Sequence, residues 1–172
     1  FSSKFSALIR GFRSNINDQI EYKSNKYINS AADLALKQSG INSKLQIKQN
    51  DYKLDLFSSF LSSDKVGGAP QLRRPEKTYG FNLNKKFNHD EIGHFNVNLK
   101  YNHYGKHFDT HSSSFATVEL DSTDIFDISL TKNYGLYEFQ LNITNLLDEG
   151  YQRPHGYSQN GRLFNIAVKN NF

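Results

Sequence analysis

Cysteine, methionine and tryptophan are all absent from the 172 residues, and proline occurs only three times. Without cysteine there is neither a disulfide framework nor a thiolate metal site. No apolar run approaches the roughly 20 residues that a membrane-spanning helix requires, so a helical membrane protein is excluded. A membrane β-barrel is not, because its strands alternate and escape hydropathy scans. Lys and Arg total 21 against 17 Asp and Glu, and the signs are interspersed. No polybasic tract or aromatic-basic cluster points to nucleic acid. Gly-x-Ser-x-Gly, a phosphate loop and His-Glu-x-x-His are all missing, which argues against an enzyme. No signal peptide is present and no Met stands at position 1, which predicts a processed or truncated piece of a longer chain.

What the sequence does contain is a period of two. "YEFQLNIT" sends Tyr137, Phe139, Leu141 and Ile143 to one face and Glu138, Gln140, Asn142 and Thr144 to the other. "FNVNLKYN", "TYGFNLNKKF", "YKLDLFSSF" and "DIFDISLT" repeat the pattern. The last segment sets Phe164, Ile166, Val168 and Phe172 against Asn165, Ala167, Lys169 and Asn171. Eight strands are predicted, near 3–18, 30–48, 51–62, 73–87, 93–107, 115–132, 135–147 and 161–172. The Ala, Leu, Lys and Gln of "INSAADLALKQSG" favour helix, but "INSKLQIK" resumes the alternation after Gly40, so the segment is read as strand.

The connections alternate in length. Those near 50, 90 and 133 are short and built from Asn, Asp and Gly, whereas those at 18–30, 63–72, 108–114 and 148–160 are long. Pro70, Pro75 and Pro154 all sit in or beside the long joins, where no ladder donor is lost. Short turns at one end and long loops at the other is the pattern of an outer-membrane barrel. Strands of ten or more residues, with Tyr and Phe recurring toward their ends, fit tilted spanning strands and an interfacial aromatic girdle. A soluble sandwich would bury the same apolar face against a second sheet, and alternation alone does not separate the two.

The closing "LNITNLLDEGYQRPHGYSQNGRLFNIAVKNNF" resembles the C-terminal end of TonB-dependent outer-membrane receptors. The resemblance is carried by Asn145, Leu146, Leu147, Asp148, Tyr151, Gly156, Tyr157, Gly161, Arg162 and the terminal aromatic Phe172. "LRRPEKTYGFNLN" is similar to the segment that re-enters such a barrel after an extracellular loop, and "LKYNHYGKHFD" to a strand and loop further on. "FRSNINDQIEY" and "INSKLQI" are similar to earlier strands of the same half. The resemblance spans nearly the whole chain in order.

It implies an all-β fold, an antiparallel transmembrane β-barrel. Residues 1–172 would be about eight C-terminal strands of a barrel of about 22, with the plug and N-terminal strands missing. It implies a receptor in the outer membrane of a Gram-negative bacterium, importing a scarce nutrient of cobalamin or iron-siderophore type without covalent chemistry or a cofactor. Implied partners are outer-membrane lipid, the TonB complex, the barrel assembly machinery and a small-molecule ligand. Phe164, Ile166, Val168 and Phe172 would form the assembly signal, with Asn170 departing from its apolar series.

Among subclasses the "LRR" turn and compact last loop most resemble cobalamin receptors, where the first Arg of such a pair faces ligand; by position that is Arg73. The alternative is that Arg73 and Arg74 pair with lumen carboxylates, and Ser112 stands where such receptors can offer a Tyr. Tyr151, Arg153 and Tyr157, with His155, are candidates for an extracellular vestibule. His103, His107 and His111 are spaced by four. They fall on a strand entering a loop, so only His103 and His107 share a face, about 13 Å apart, and no metal site is expected. The competing function is a small self-contained eight-stranded barrel with an adhesion or structural role.

Overall fold

The computed structural model describes residues 3–16, 20–23, 26–29, 36–65 and 70–170. Alternating β-branched and aromatic residues favour extended backbone, and every regular element described is a strand. Eight of them form one sheet: β1 (Ser3–Ile16), β4 (Leu36–Gln49), β5 (Tyr52–Lys65), β6 (Lys77–His89), β7 (Gly93–Tyr104), β10 (Thr123–Tyr134), β11 (Tyr137–Thr144) and β12 (Leu163–Asn170). All are antiparallel to their neighbours in simple meander order. Between them lie two short hairpins, β2 (Ile20–Lys23) with β3 (Lys26–Asn29), and β8 (His107–Thr110) with β9 (Thr117–Leu120).

The second hairpin corrects the expected strands 93–107 and 115–132. The chain leaves the sheet after Tyr104, where Gly105 N bonds to Lys77 O at 2.8 Å, and folds a ladder of its own before rejoining at Thr123. Of the segment 30–39, residues 36–39 are strand, and 30–35 lie outside the described residues, as does Phe172. Short turns join β4 to β5, β6 to β7 and β10 to β11, with Asn50 and Gly135 at positive φ of 45° and 57°. The long connections all fall at the opposite end.

Register decides which face each side chain takes. A single row across the sheet reads Phe5, Ile47, Leu54, Leu83, Leu99, Ile128, Ile143 and Phe164, one apolar residue from each of the eight strands. The neighbouring row on the other face reads Lys4, Lys48, Lys53, Asn84, Asn98, Ser129, Asn142 and Asn165. No second layer covers the apolar face: Leu36 and Ile125 are the only buried apolar side chains among the described residues, and both belong to the other face. Phe5, Ile9, Phe164 and Ile166 are largely exposed. A soluble sandwich would have packed these residues together.

The apolar band is oblique to the rows. On β4 it runs from Ile41 to Ile47, centred at Lys44, whose level reaches β10 at Ile125 through Phe57, Gly80 and Asn102. On β11 it runs from Tyr137 to Ile143, centred at Gln140, which pairs with Thr131. The centre has therefore slipped by six residues, about 20 Å, over five strand spacings of about 24 Å in all. That slope is about 40°, within the tilt of roughly 35–45° typical of outer-membrane barrel strands. The sequence places its apolar residues so that the band lies level only when the strands are tilted as a membrane barrel requires.

β1 and β12 are the two edges of the sheet and do not pair with each other. One glycine of the sheet permits a close approach. At Gly80, on the inner face, a Cβ would collide with the Tyr101 carbonyl and stand 2.7 Å from the Phe57 ring, which covers the glycine. Such aromatic cover of a strand glycine accompanies curvature in barrels.

Candidate functional site

The long loops converge on one carboxylate. Asp109, on β8, has no solvent exposure. Its Oδ1 accepts from Arg73 Nε at 2.8 Å and from the Thr110 backbone N–H at 2.7 Å, while Oδ2 accepts from the His155 backbone N–H at 2.8 Å. One side chain thus ties the β5–β6 loop, the β8–β9 hairpin and the β11–β12 loop together. The backbone prepares the contact: Arg73 takes a positive φ of 62°, and its N–H donates to Phe108 O at 2.6 Å. Burial opposes the Asp109 charge, yet the Arg73 guanidinium and the two backbone donors outweigh it and hold the carboxyl below its usual range.

A second layer of contacts braces this knot. His111 Nδ1 accepts from the Ser113 and Ser114 N–H groups, each at 3.2 Å, and its ring lies 4.7 Å from that of His155. Gly156, at φ 81°, passes so near Ser112 that a Cβ would stand 3.2 Å from it. Arg153 lies over the Tyr104 ring at 4.2 Å.

The closing motif has a mechanical explanation. Asn145, at φ 50° and almost fully buried, ends β11. Its side-chain amide donates to Glu149 O and its Oδ1 accepts from Glu149 N, both at 2.9 Å, while its backbone N–H donates to Asp127 Oδ1 at 3.0 Å. Asp148 Oδ1 accepts from Arg162 N at 2.7 Å, pinning the entry to β12. The Asn and Asp of this motif shape the loop.

The predicted site residues divide into two groups. Arg73 and Arg153 are drawn into internal contacts, though Arg73 spends only Nε and its side chain is 65% exposed. Tyr151 is half-buried at the base of its loop, where its carbonyl accepts from Gln159 N at 2.9 Å. Tyr157 is exposed. Phe164, Ile166 and Val168 lie exposed on the apolar face of β12. Asn170, opposite Tyr137, does interrupt that series.

The histidine triplet is split three ways. His103 stays on the sheet, 2.7 Å from Asp124; His107 is buried in the hairpin; His111 meets His155. The interruption at Gly105–Lys106 removes His103 and His107 from a common strand. Asp109, His155 and Asn145 were missed as organising residues. The Asp ending "GKHFD" was the visible signal for the first, but its partners lie 36 and 46 positions away.

No family model and no curated protein matches the chain. Solved structures do. The ferripyoverdine receptor of the outer membrane of Pseudomonas aeruginosa, bound to ferripyoverdine, superposes with a TM-score of 0.78 at 12% identity, over 95% of this chain and 24% of that one. The FrpB iron transporter from Neisseria meningitidis gives 0.71 at 12% identity, over 95% and 27%. The ferric yersiniabactin uptake receptor FyuA from Yersinia pestis gives 0.72 at 12% identity, over 95% and 26%. The chain thus spans about a quarter of the length of each. Its fold is that of a stretch of barrel wall in these structures.

Proposed function

We propose that residues 1–172 are the C-terminal wall segment of a TonB-dependent receptor in the Gram-negative outer membrane, and that the whole protein imports a scarce nutrient. The observation that carries this reading is the apolar band whose 40° slope across the register matches spanning strands. The apolar face meets acyl chains and the polar face lines a wet lumen. The plug and the earlier strands belong to the rest of the polypeptide, through which the TonB complex delivers energy. Nothing in this role requires covalent chemistry.

The ligand enters at the end where Asp109 gathers the loops. Arg73 is positioned to offer its two terminal nitrogens there, which meet no partner among the described residues, and Tyr157 an exposed ring, with Arg153 and Tyr151 shaping the loop beneath. An iron chelate is favoured over cobalamin, because the superposing structures carry ferric chelates or iron in their names. A self-contained eight-stranded barrel would need β1 to pair with β12, and their places at opposite edges of the sheet favour the larger barrel.

The test is disruption of the gene in its host, followed by growth under iron limitation and, separately, under cobalamin limitation. Loss of iron-limited growth that a TonB defect reproduces supports the reading. Unchanged growth in both media, with the protein recovered in the soluble fraction, would sink it.

A further inference from the structure

Two lysines interrupt the apolar face near the short turns. In register, the row Lys85, Val97, Leu130 and Leu141 crosses β6, β7, β10 and β11, and the next row toward the turns reads Phe87, Phe95, Lys132 and Phe139. On β6 Lys85 stands between Leu83 and Phe87 of the same face, and on β10 Lys132 stands between Leu130 and Tyr134. Lys85 is exposed and Lys132 half-buried. They lie two strands and two residues apart, about 12 Å between Cα atoms.

Phe87 and Phe95 stack between them, with ring centroids 4.9 Å apart and planes within 7°. Lys85 Nζ lies 4.9 Å from the Phe87 ring centroid, which turns the ammonium toward the short turns. Lys85 is flanked by Tyr52 and Val97, and Lys132 by Phe95 and Phe139, so every lateral neighbour is in place and none is acidic. Among the described residues neither lysine has an ion-pair partner.

A cation rooted in an apolar, lipid-facing band is unfavourable unless its head reaches a polar partner. The short turns of outer-membrane barrels lie on the periplasmic side, where the partners within reach are lipid headgroups. Two ammonium groups without counter-charge favour an anionic headgroup over a neutral one. The stacked rings between them offer an apolar seat to the acyl chains.

We propose that Lys85 and Lys132, on either side of the Phe87–Phe95 stack, hold the phosphate of one anionic phospholipid of the periplasmic leaflet. The inference rests on the reading of the apolar face as lipid-facing. The competing account is that each lysine reaches the interface independently and selects no lipid.

The test uses the full-length protein, any other cysteines removed, with one cysteine carrying a small fluorophore. Val97→Cys lies beside Lys85, and Ile166→Cys stands in the same row on β12, away from both lysines. In bilayers of phosphatidylglycerol and phosphatidylcholine, with one or the other brominated, quenching reports which lipid lies against the label. Phosphatidylglycerol should be favoured roughly fivefold at Val97→Cys and not at Ile166→Cys. The preference should vanish when Lys85 and Lys132 are both changed to Gln, persist when both are changed to Arg, and shrink in about 1 M salt.

Equal association of the two lipids at Val97→Cys overturns the proposal, as does a preference that survives the Gln changes or is lost in the Arg pair. Silence of Val97→Cys toward both lipids while Ile166→Cys is quenched also overturns it, because a protein would then cover this face. Silence at both positions would instead refute the membrane reading beneath it.

Discussion

Asp109 and Arg73, 36 positions apart on different loops, form a 2.8 Å ion pair in which the carboxylate is fully buried and the guanidinium is not. The asymmetry matters. The carboxylate gives up water and recovers three donors, two of them backbone N–H groups from separate segments. The arginine keeps most of its hydration, and among the described residues its two terminal nitrogens have no partner. One residue is therefore the structural pin, and the other stays available at the surface.

Asp109→Asn keeps the shape but removes the charge and presents an amide to donors. The three loops should loosen by about 1–3 kcal/mol, the range for an unsatisfied buried polar group. The exposure of Arg73 limits the charge contribution. Hydrogen exchange at the Thr110 and His155 amides should accelerate, while amides in the middle of β6 and β7 stay unchanged. Equal acceleration in both places would mean that the whole sheet, not the knot, depends on Asp109.

Acid should release the same knot. The Asp109 carboxyl titrates below its ordinary value in the folded protein, so its contribution is complete above about pH 4, the usual carboxylate pKa. It is lost as pH falls through the lower folded value. Exchange of the Thr110 and His155 amides, corrected for intrinsic rates, should be flat between about pH 5 and 8 and rise only below about pH 4. A rise already within the range of about pH 5 to 8 would show that a group other than Asp109 controls the knot.

The two faces of β11 should respond oppositely to charge. Leu141 lies close to the centre of the apolar band, and Asn142 on the opposite face stands in the polar row between Ser129 and Asn165. Leu141→Arg should cost about 2–4 kcal/mol in urea unfolding from lipid bilayers, whereas Asn142→Arg should be nearly silent. The reverse order would turn the sheet inside out.

Gly80→Ala should weaken the wall although it adds a single methyl group. The new Cβ meets the Tyr101 carbonyl and the Phe57 ring, and overpacking of this kind costs about 1–3 kcal/mol. Gly11, where an added Cβ would meet nothing within 4 Å, is the control. Denaturant midpoints of the two variants in the same lipid make the comparison.

On the function proposed above, deleting Phe172 from the full-length protein should lower the amount inserted in the outer membrane without changing ligand affinity in the molecules that do insert. Asn170, the last described residue of β12, pairs with Tyr137 at the short-turn end, about 30 Å of hydrocarbon from the loops. Asn170 already interrupts the apolar series opposite Tyr137, so little redundancy masks the loss. Heat-modifiable gel mobility and ligand binding on intact cells measure the two quantities. Normal insertion with weakened binding would reverse the orientation.

Strand identity and facing were legible in the residues themselves, because a period of two is local and Asn, Asp and Gly at short turns set the register of each hairpin. Tyr137 opposite Tyr134 follows from the turn at Gly135 and needs no distant contact. The 40° slope was latent in the same pattern, but it emerges only when the register of six strands is known. The loop knot was not legible. Asp109, Arg73 and His155 are joined across 36 and 46 residues, and a Gly-Lys-His-Phe-Asp stretch has no local feature that turns a strand into a separate hairpin. Alternation is dictated by neighbours one and two residues away; the convergence of three loops on one buried charge depends on where the folded sheet delivers their ends.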